Sequence, residues 1–188
     1  MELLIKKAQK GDKEAFIQAI DEYMTQMYKV AKSRLDSDDD IGDAMQDTIL
    51  SAYRSLKTLR KPRYFKTWII KILINKCNNI MSKSKHIIYV DDYSKVSRDT
   101  DMGVYDSDVE EELDFTETLK ILNEDYRTVI VLYYVNGFTS KEISEILDEK
   151  EGTIKSRLSR ARQQLKEHYM TNNLLDNSLK LNLGGHVR

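Results

Sequence analysis

With 188 residues the chain can form one domain or two small ones, and seven Gly and one Pro against many Leu, Ile, Lys and Glu favour helix over sheet. A net charge of −1 gives no global attraction to nucleic acid, and one Cys with three scattered His excludes an internal disulfide framework and argues against a His/Cys zinc site. No apolar run approaches bilayer-spanning length, and the opening MELLIKKAQKGDKEAF has no signal-peptide core, so a soluble cytoplasmic protein without metal or cofactor is expected.

In chain order, Asp12 after Gly11 and before Glu14-Ala15-Phe16 predicts a helix N-cap. Helical pattern follows to about Leu35, and Asp36 to Asp40 reads as a polar break. Ile41, Ala44, Met45, Thr48, Ile49, Ala52, Leu56 and Leu59 mark a long amphipathic helix. Arg60-Lys61-Pro62-Arg63 interrupts it, because Pro does not fit a helix interior. Phe65, Trp68, Ile69, Ile72, Leu73, Cys77 and Ile80 form another stripe, on which Cys77 is expected to be a buried, unreactive thiol. Residues 1–86 are therefore expected to be a compact helical domain. Residues 87–112 show no sustained period and a net charge of −7, the signature of a flexible acidic linker.

Helical pattern resumes near Leu113. Val129 to Val135 is apolar nearly all round, as the buried centre of a small domain would be, and Asn136-Gly137 is a helix stop. Thr139 and Glu142 have capping-box spacing, Ile143, Ile146 and Leu147 are the core face of the next helix, and Asp148 to Lys150 make a turn. The helix after it, EGTIKSRLSRARQQL from Glu151 to Leu165, places Ile154, Leu158, Ala161 and Leu165 on one stripe. Lys155, Arg157, Arg160, Arg162 and Lys166 occupy its other faces. A thin apolar back with a cationic front fits the second helix of a helix-turn-helix in a DNA major groove. Residues 113–170 thus form a second helical domain, and 171–188 a polar tail with no functional signal. His86, His168 and His186 stand at no ligand spacing.

Charge is segregated. From Lys57 to Lys85 there are nine Lys/Arg and no Asp or Glu, surrounding Tyr64, Phe65 and Trp68. Cations beside aromatics suit single-stranded nucleic acid, where each stacked base is worth roughly 1–3 kcal/mol. Trp68 is in phase with Ile72 and Leu73 and reads as core, whereas Tyr64 is out of that phase. From Asp36 to Asp47 there are six Asp and no cation. Asp39, Asp40 and Asp43 spell DDxxD, a magnesium-diphosphate motif of isoprenoid synthases, but the chain is too short for such an enzyme beside a DNA-binding domain. A solvated helix N-terminus, with Asp complementing the macrodipole, is the simpler expectation.

Two stretches in this order carry a family resemblance: DIGDAMQDTILSAYRSL (40–56) followed by FKTWIIKILINKCNN (65–79), and GFTSKEISEILDEKEGTIKSRLSRARQQL (137–165). The chain resembles an RNA polymerase sigma factor of the extracytoplasmic-function type, within the sigma-70 family. The resemblance implies an all-α protein of two small helical domains joined by the acidic linker, with no catalytic residues of its own. Residues 1–86 would bind core polymerase through Asp43, Gln46 and Asp47. They would read and melt the −10 element through Tyr64, Phe65 and Asn75, with Arg63, Lys66 and Lys71 on its phosphates. In the second domain Lys155, Ser156, Ser159 and Arg160 would face bases of the −35 element. Arg157 and Arg162 would clamp phosphates, and Thr139 and Lys141 would touch the DNA backbone. Implied partners are core polymerase, promoter DNA (duplex at −35, single-stranded at −10) and an anti-sigma factor, often membrane-anchored. Two departures stand out: Asp148 and Glu149 replace the usual Gly and apolar residue of the turn, and Ser144 replaces a small Ala. A helix-turn-helix regulator acting without polymerase is the alternative.

Overall fold

The computed structural model describes residues 1–88 and 119–183, and all regular structure among them is helical. Of the linker expected at 87–112, the first two residues close a helix and 89–112 lie outside the described residues, as do the start of the second domain at 113–118 and the Gly184-Gly185 pair.

Helices α1 (Glu2–Gln9) and α2 (Lys13–Asp21) form a hairpin around Gly11, whose φ of +103° suits a residue without Cβ. Asp12 caps α2 as expected, its carboxylate accepting from Ala15 N at 3.0 Å. The helical pattern expected to reach Leu35 instead breaks at Glu22-Tyr23, and α3 covers Met24–Lys32. The buried stripe keeps its phase across that break, through Ala15, Phe16, Ala19, Ile20, then Met27, Val30 and Ala31, so periodicity carried no sign of it. Helix α4 (Asp38–Ser55) starts inside the expected polar break: Ser37 accepts from Asp40 N, and Asp38, Asp39 and Asp40 are its first turn. Their charge therefore lies where the helix dipole favours it.

The connection after α4 is built of two 3-10 turns, Leu56–Thr58 and Pro62–Tyr64, with Pro62 at the first position of the second. The Gln9 side-chain amide donates to Leu56 O (3.1 Å) and Leu59 O (2.7 Å), tying α1 to this connection. Helix α5 (Phe65–Ile88) packs along α4 and sends Phe65, Ile69, Ile70, Leu73, Ile74 and Cys77 into the core. Burial pushes the Cys77 thiol up to about 11, so little of it is thiolate near neutrality, as an unreactive core cysteine requires.

In the C-terminal half Asn123 caps α6 (Glu124–Ile130), which continues as a π-helical turn, Val131–Val135. Val129, Ile130, Val131 and Leu132 are buried, but Tyr134 is exposed, so the run is less enclosed than its composition suggests. Gly137 (φ +69°) ends it. The expected capping box of Thr139 and Glu142 starts α7 (Ser140–Leu147) with both hydrogen bonds made. Helix α8 (Glu151–Leu183) buries Ile154, Leu158 and Ala161 and runs well into the segment expected to be a tail. No Gly or Pro stands between Gly152 and Gly184, so nothing local stops it.

The two halves pack on each other, α5 against α7 and α3 against the π-helical turn. Nothing in the sequence announces that contact.

Candidate nucleic-acid interface

The helix-turn-helix is α7, the turn at Asp148, and α8. Ile143 and Ile146 of α7 meet Ile154, Leu158 and Ala161 of α8 in the core, which fixes the outward face of α8. On that face Lys155, Ser156, Ser159 and Arg160 are all exposed, and Thr139 and Lys141 are exposed at the start of α7. Glu151 joins the helices, accepting from Ser140 Oγ (3.0 Å) and Lys155 Nζ (2.8 Å). The Lys155 hydrogen bond, then that of Ser140, holds the Glu151 carboxyl below its ordinary value, so it stays charged beside the cationic face.

The turn makes its own use of the two unusual acids. Asp148 adopts the left-handed conformation (φ 57°, ψ 44°), which Asp tolerates better than most residues. Glu149 accepts from Arg157 at 2.8 Å, and Asp125 of α6 holds the other guanidinium nitrogen at 3.1 Å. Arg157 thus points inward and pins α8 to α6, apart from the exposed set. Arg162 is also engaged: its Nε donates to Tyr134 Oη (2.7 Å), and its guanidinium lies over the Tyr133 and Tyr134 rings at 5.4 and 5.5 Å.

Phe65 and Trp68 anchor the basic block of the N-terminal half. Phe65 is fully buried between Tyr23 and Trp68, each ring 5.8 Å away, and Trp68 is half-buried on the core face as its phase requires. Tyr64 is 45% exposed, with the Arg63 guanidinium 4.7 Å from its ring. Asn75 is exposed one face away on α5. An open ring flanked by cations can stack an unpaired base, and an exposed amide further along α5 can hydrogen-bond one.

The sequence profile of Sigma-70 region 2 matches residues 19–86, and that of Sigma-70, region 4 matches residues 112–165. The ECF RNA polymerase sigma factor SigW of Bacillus subtilis is 32% identical over 185 residues, covering 89% of this chain and 97% of that protein. The chain belongs to the extracytoplasmic-function sigma factors. The ECF RNA polymerase sigma-E factor of Haemophilus influenzae is 30% identical over 173 residues, covering 86% of this chain and 91% of the relative. Among solved structures, the sigma factor RpoE in complex with the anti-sigma factor NepR from Bartonella quintana superposes with a TM-score of 0.69. It is 29% identical and covers 81% of this chain and 94% of that one.

Two further features of this sigma factor bear on its site. On α4, Asp43, Gln46 and Asp47 form one exposed strip that continues through Leu50 and Tyr53, both about half exposed, while Met45 lies on the core side. Lys76 of α5 approaches Asp47 at 3.7 Å. The other feature is the seam between the halves, which sequence reasoning missed. Lys66 Nζ donates to Asn136 O and sits 4.8 Å over the Phe138 ring; Lys71 Nζ donates to Glu145 O (2.7 Å). Burial lowers the Lys66 ammonium below its ordinary value, with Glu142 partly opposing that. Arg34 reaches across the same seam, ion-paired to Glu124 at 2.7 Å and donating to Thr128 Oγ1 at 3.1 Å. Around it is a polar cleft of about 70 Å³ whose lining includes Asn78, Asp125, Glu149 and Arg157. Arg34, Glu124 and Thr128 lie outside the stretches that carry the resemblance, so only the packing reveals them. Among the described residues no helix is long and apolar enough to cross a membrane.

Proposed function

We propose that this chain is an alternative sigma factor that directs core RNA polymerase to two-part promoters and assists melting at initiation. The observation that carries the proposal is the pairing, in one chain, of two unlike DNA-compatible surfaces. One is the exposed Lys155, Ser156, Ser159 and Arg160 face of a helix-turn-helix; the other is the exposed Tyr64 and Asn75 of a cationic block. The first suits base edges of a duplex −35 element, with Thr139 and Lys141 on its backbone. Arg162, held at Nε by Tyr134, can still offer its terminal guanidinium N–H groups to a phosphate, and Arg157 acts by holding α8 in position. The second suits an opened −10 strand, with Tyr64 stacking, Asn75 bonding to a base, and Arg63, Lys66 and Lys71 near phosphates. Phe65 is fully buried against Tyr23 and Trp68, so it anchors the start of α5 and does not itself face the strand.

Each surface alone is small and the chain has almost no net charge, so free binding is weak. Core polymerase, docked on the Asp43, Gln46 and Asp47 strip, holds both surfaces at a set spacing and turns the second binding event into an intramolecular one. The chain contributes recognition and no catalytic chemistry; polymerase makes the RNA. It works in the cytoplasm, and an anti-sigma factor, itself soluble or membrane-anchored, restrains it. The complexed state of the RpoE relative supports that expectation.

Run-off transcription with purified core polymerase and genomic fragments tests the proposal. Discrete transcripts that require this chain are expected. Absence of both transcripts and association with core enzyme would overturn it, as would full-affinity operator binding by the chain without polymerase.

A further inference from the structure

Arg157 and Arg162 flank the outward face of α8 and are held in opposite ways. Arg157 is ion-paired to Asp125 and Glu149, so its charge is met within the chain. Arg162 is exposed and has no ion pair among the described residues; two tyrosines hold it instead. The π-helical turn Val131–Val135 sets the Tyr133 and Tyr134 rings edge to face, 5.0 Å apart. It leaves Tyr134 56% exposed, the most of any tyrosine among the described residues, in a run whose first two members are buried. A ring and a hydroxyl fix a guanidinium in place without neutralising it, which a carboxylate would do.

The Tyr134 hydroxyl oxygen accepts from Arg162 Nε at 2.7 Å, and among the described residues the hydroxyl donates to nothing. Its proton is free for an outside acceptor, beside the terminal N–H groups of the same guanidinium. Two adjacent donors, one of them cationic, match the two anionic oxygens of a phosphodiester. The position of the pair fits that ligand. Arg162 lies two turns beyond Lys155 in the same row of α8, about 10 Å along the axis. The major groove is about 12 Å wide, so with Lys155 at base edges Arg162 has reached the sugar-phosphate wall. The same edge of α8 carries Glu151, one turn before Lys155, and Glu151 accepts from Ser140 in the first turn of α7. Thr139 and Lys141, both exposed, border that edge.

We propose that Tyr134 and Arg162 form a clamp for one phosphate of the duplex that α8 reads. Tyr134 donates its hydroxyl proton to the phosphate and fixes the guanidinium that carries the charge. Tyr133 supplies the second ring under the cation and makes no contact with DNA. The inference rests on the reading of α8 as a duplex-binding helix and does not depend on polymerase.

The test uses the full chain at low salt and a duplex drawn by repeated selection from random sequences. Single methylphosphonate linkages, which carry no charge, are walked along that duplex. One linkage should weaken binding of the unchanged chain several-fold, lose that effect in Arg162→Ala, and keep only part of it in Tyr134→Phe. Tyr134→Phe keeps both rings under the guanidinium, so circular dichroism and the melting temperature should not change. It should bind every sequence about 2–10-fold more weakly, as loss of one hydrogen bond does. The salt dependence of its binding should keep its slope, because no positive charge is lost, whereas Arg162→Ala should flatten the log–log slope by roughly 0.9. Should Tyr134→Phe disturb the fold, Arg162→Ala at its exposed position still gives the linkage readout. A purely structural Tyr134 would instead weaken binding without coupling to any one linkage, and that result would overturn the clamp. So would a Tyr134→Phe variant that binds as the unchanged chain does. Failure of the underlying reading looks different: selection returns no duplex at all, and the clamp falls with it.

Discussion

The cationic helix of the C-terminal half and the basic block of the N-terminal half look alike in sequence and differ in the folded chain. On α8 the apolar stripe is thin and is covered by α6 and α7 from Ile154 to Ala161, so Lys155, Ser156, Ser159 and Arg160 face solvent. On α5 the stripe is broad, the helix is covered on more than one side, and Lys66 and Lys71 end on carbonyls of the other half. Local charge density thus tells which kind of partner a segment suits, but not whether its charges are free to meet it. Long side chains spend their charge on whatever acceptor packing brings within reach.

The sharpest way to break this comparison is at neighbouring residues of the basic block. Phe65→Ala removes a fully buried ring and is expected to lower stability by about 3–5 kcal/mol in urea unfolding. Tyr64→Ala should cost clearly less, about 1 kcal/mol, since the ring is half exposed and loses cation contacts and partial packing. Yet Tyr64→Ala should be the one that slows open-complex formation on duplex promoters, and a template mismatched across the −10 region should rescue it only partly. Equal behaviour of the two variants in both assays would remove the distinction between core and base-reading positions.

The second comparison lies within α8 and has an intermediate effect. Arg160→Ala should weaken binding to the −35 element by about 1–3 kcal/mol, selectively for the base it reads, without changing the melting temperature. Arg157→Ala should do the reverse, because it leaves Asp125 and Glu149 without their partner: thermal stability falls, and discrimination among −35 sequences is kept. Loss of sequence discrimination in the Arg157 variant would show that it reads DNA after all.

The smallest expected effect is at the turn. Asp148→Gly should stabilise the C-terminal half by up to about 1 kcal/mol, because glycine adopts the left-handed conformation without a Cβ clash. Differential scanning calorimetry would detect it as a raised transition, and −35 affinity should not move. A lowered transition would mean that the Asp148 side chain contributes to the turn beyond its backbone shape.

Much of this protein was legible locally. The caps at Asp12 and Thr139, the stop at Gly137, the interruption at Pro62 and the stripe from Ile154 to Ala161 are all where short-range rules put them. Such rules work because a cap or an apolar period involves residues within one or two turns of each other. The family motifs led to the two kinds of surface for the same reason, since each is contained in one continuous stretch. The break at Glu22-Tyr23 was hidden because the stripe on either side stays in phase, and the start of α4 because a run of Asp suits both a loop and a helix N-terminus.

What the sequence by itself determined is the all-helical class, most of the helices and the chemistry that their outward faces offer. Tertiary structure decided the state of that chemistry: that Arg157 pins rather than protrudes, that Arg162 rests on two tyrosines, and that Arg34, Lys66 and Lys71 join the halves. The physical reason is range. A helix is specified by neighbours three and four residues apart, whereas Arg34 and Thr128 stand 94 positions apart and meet only once everything between them has folded.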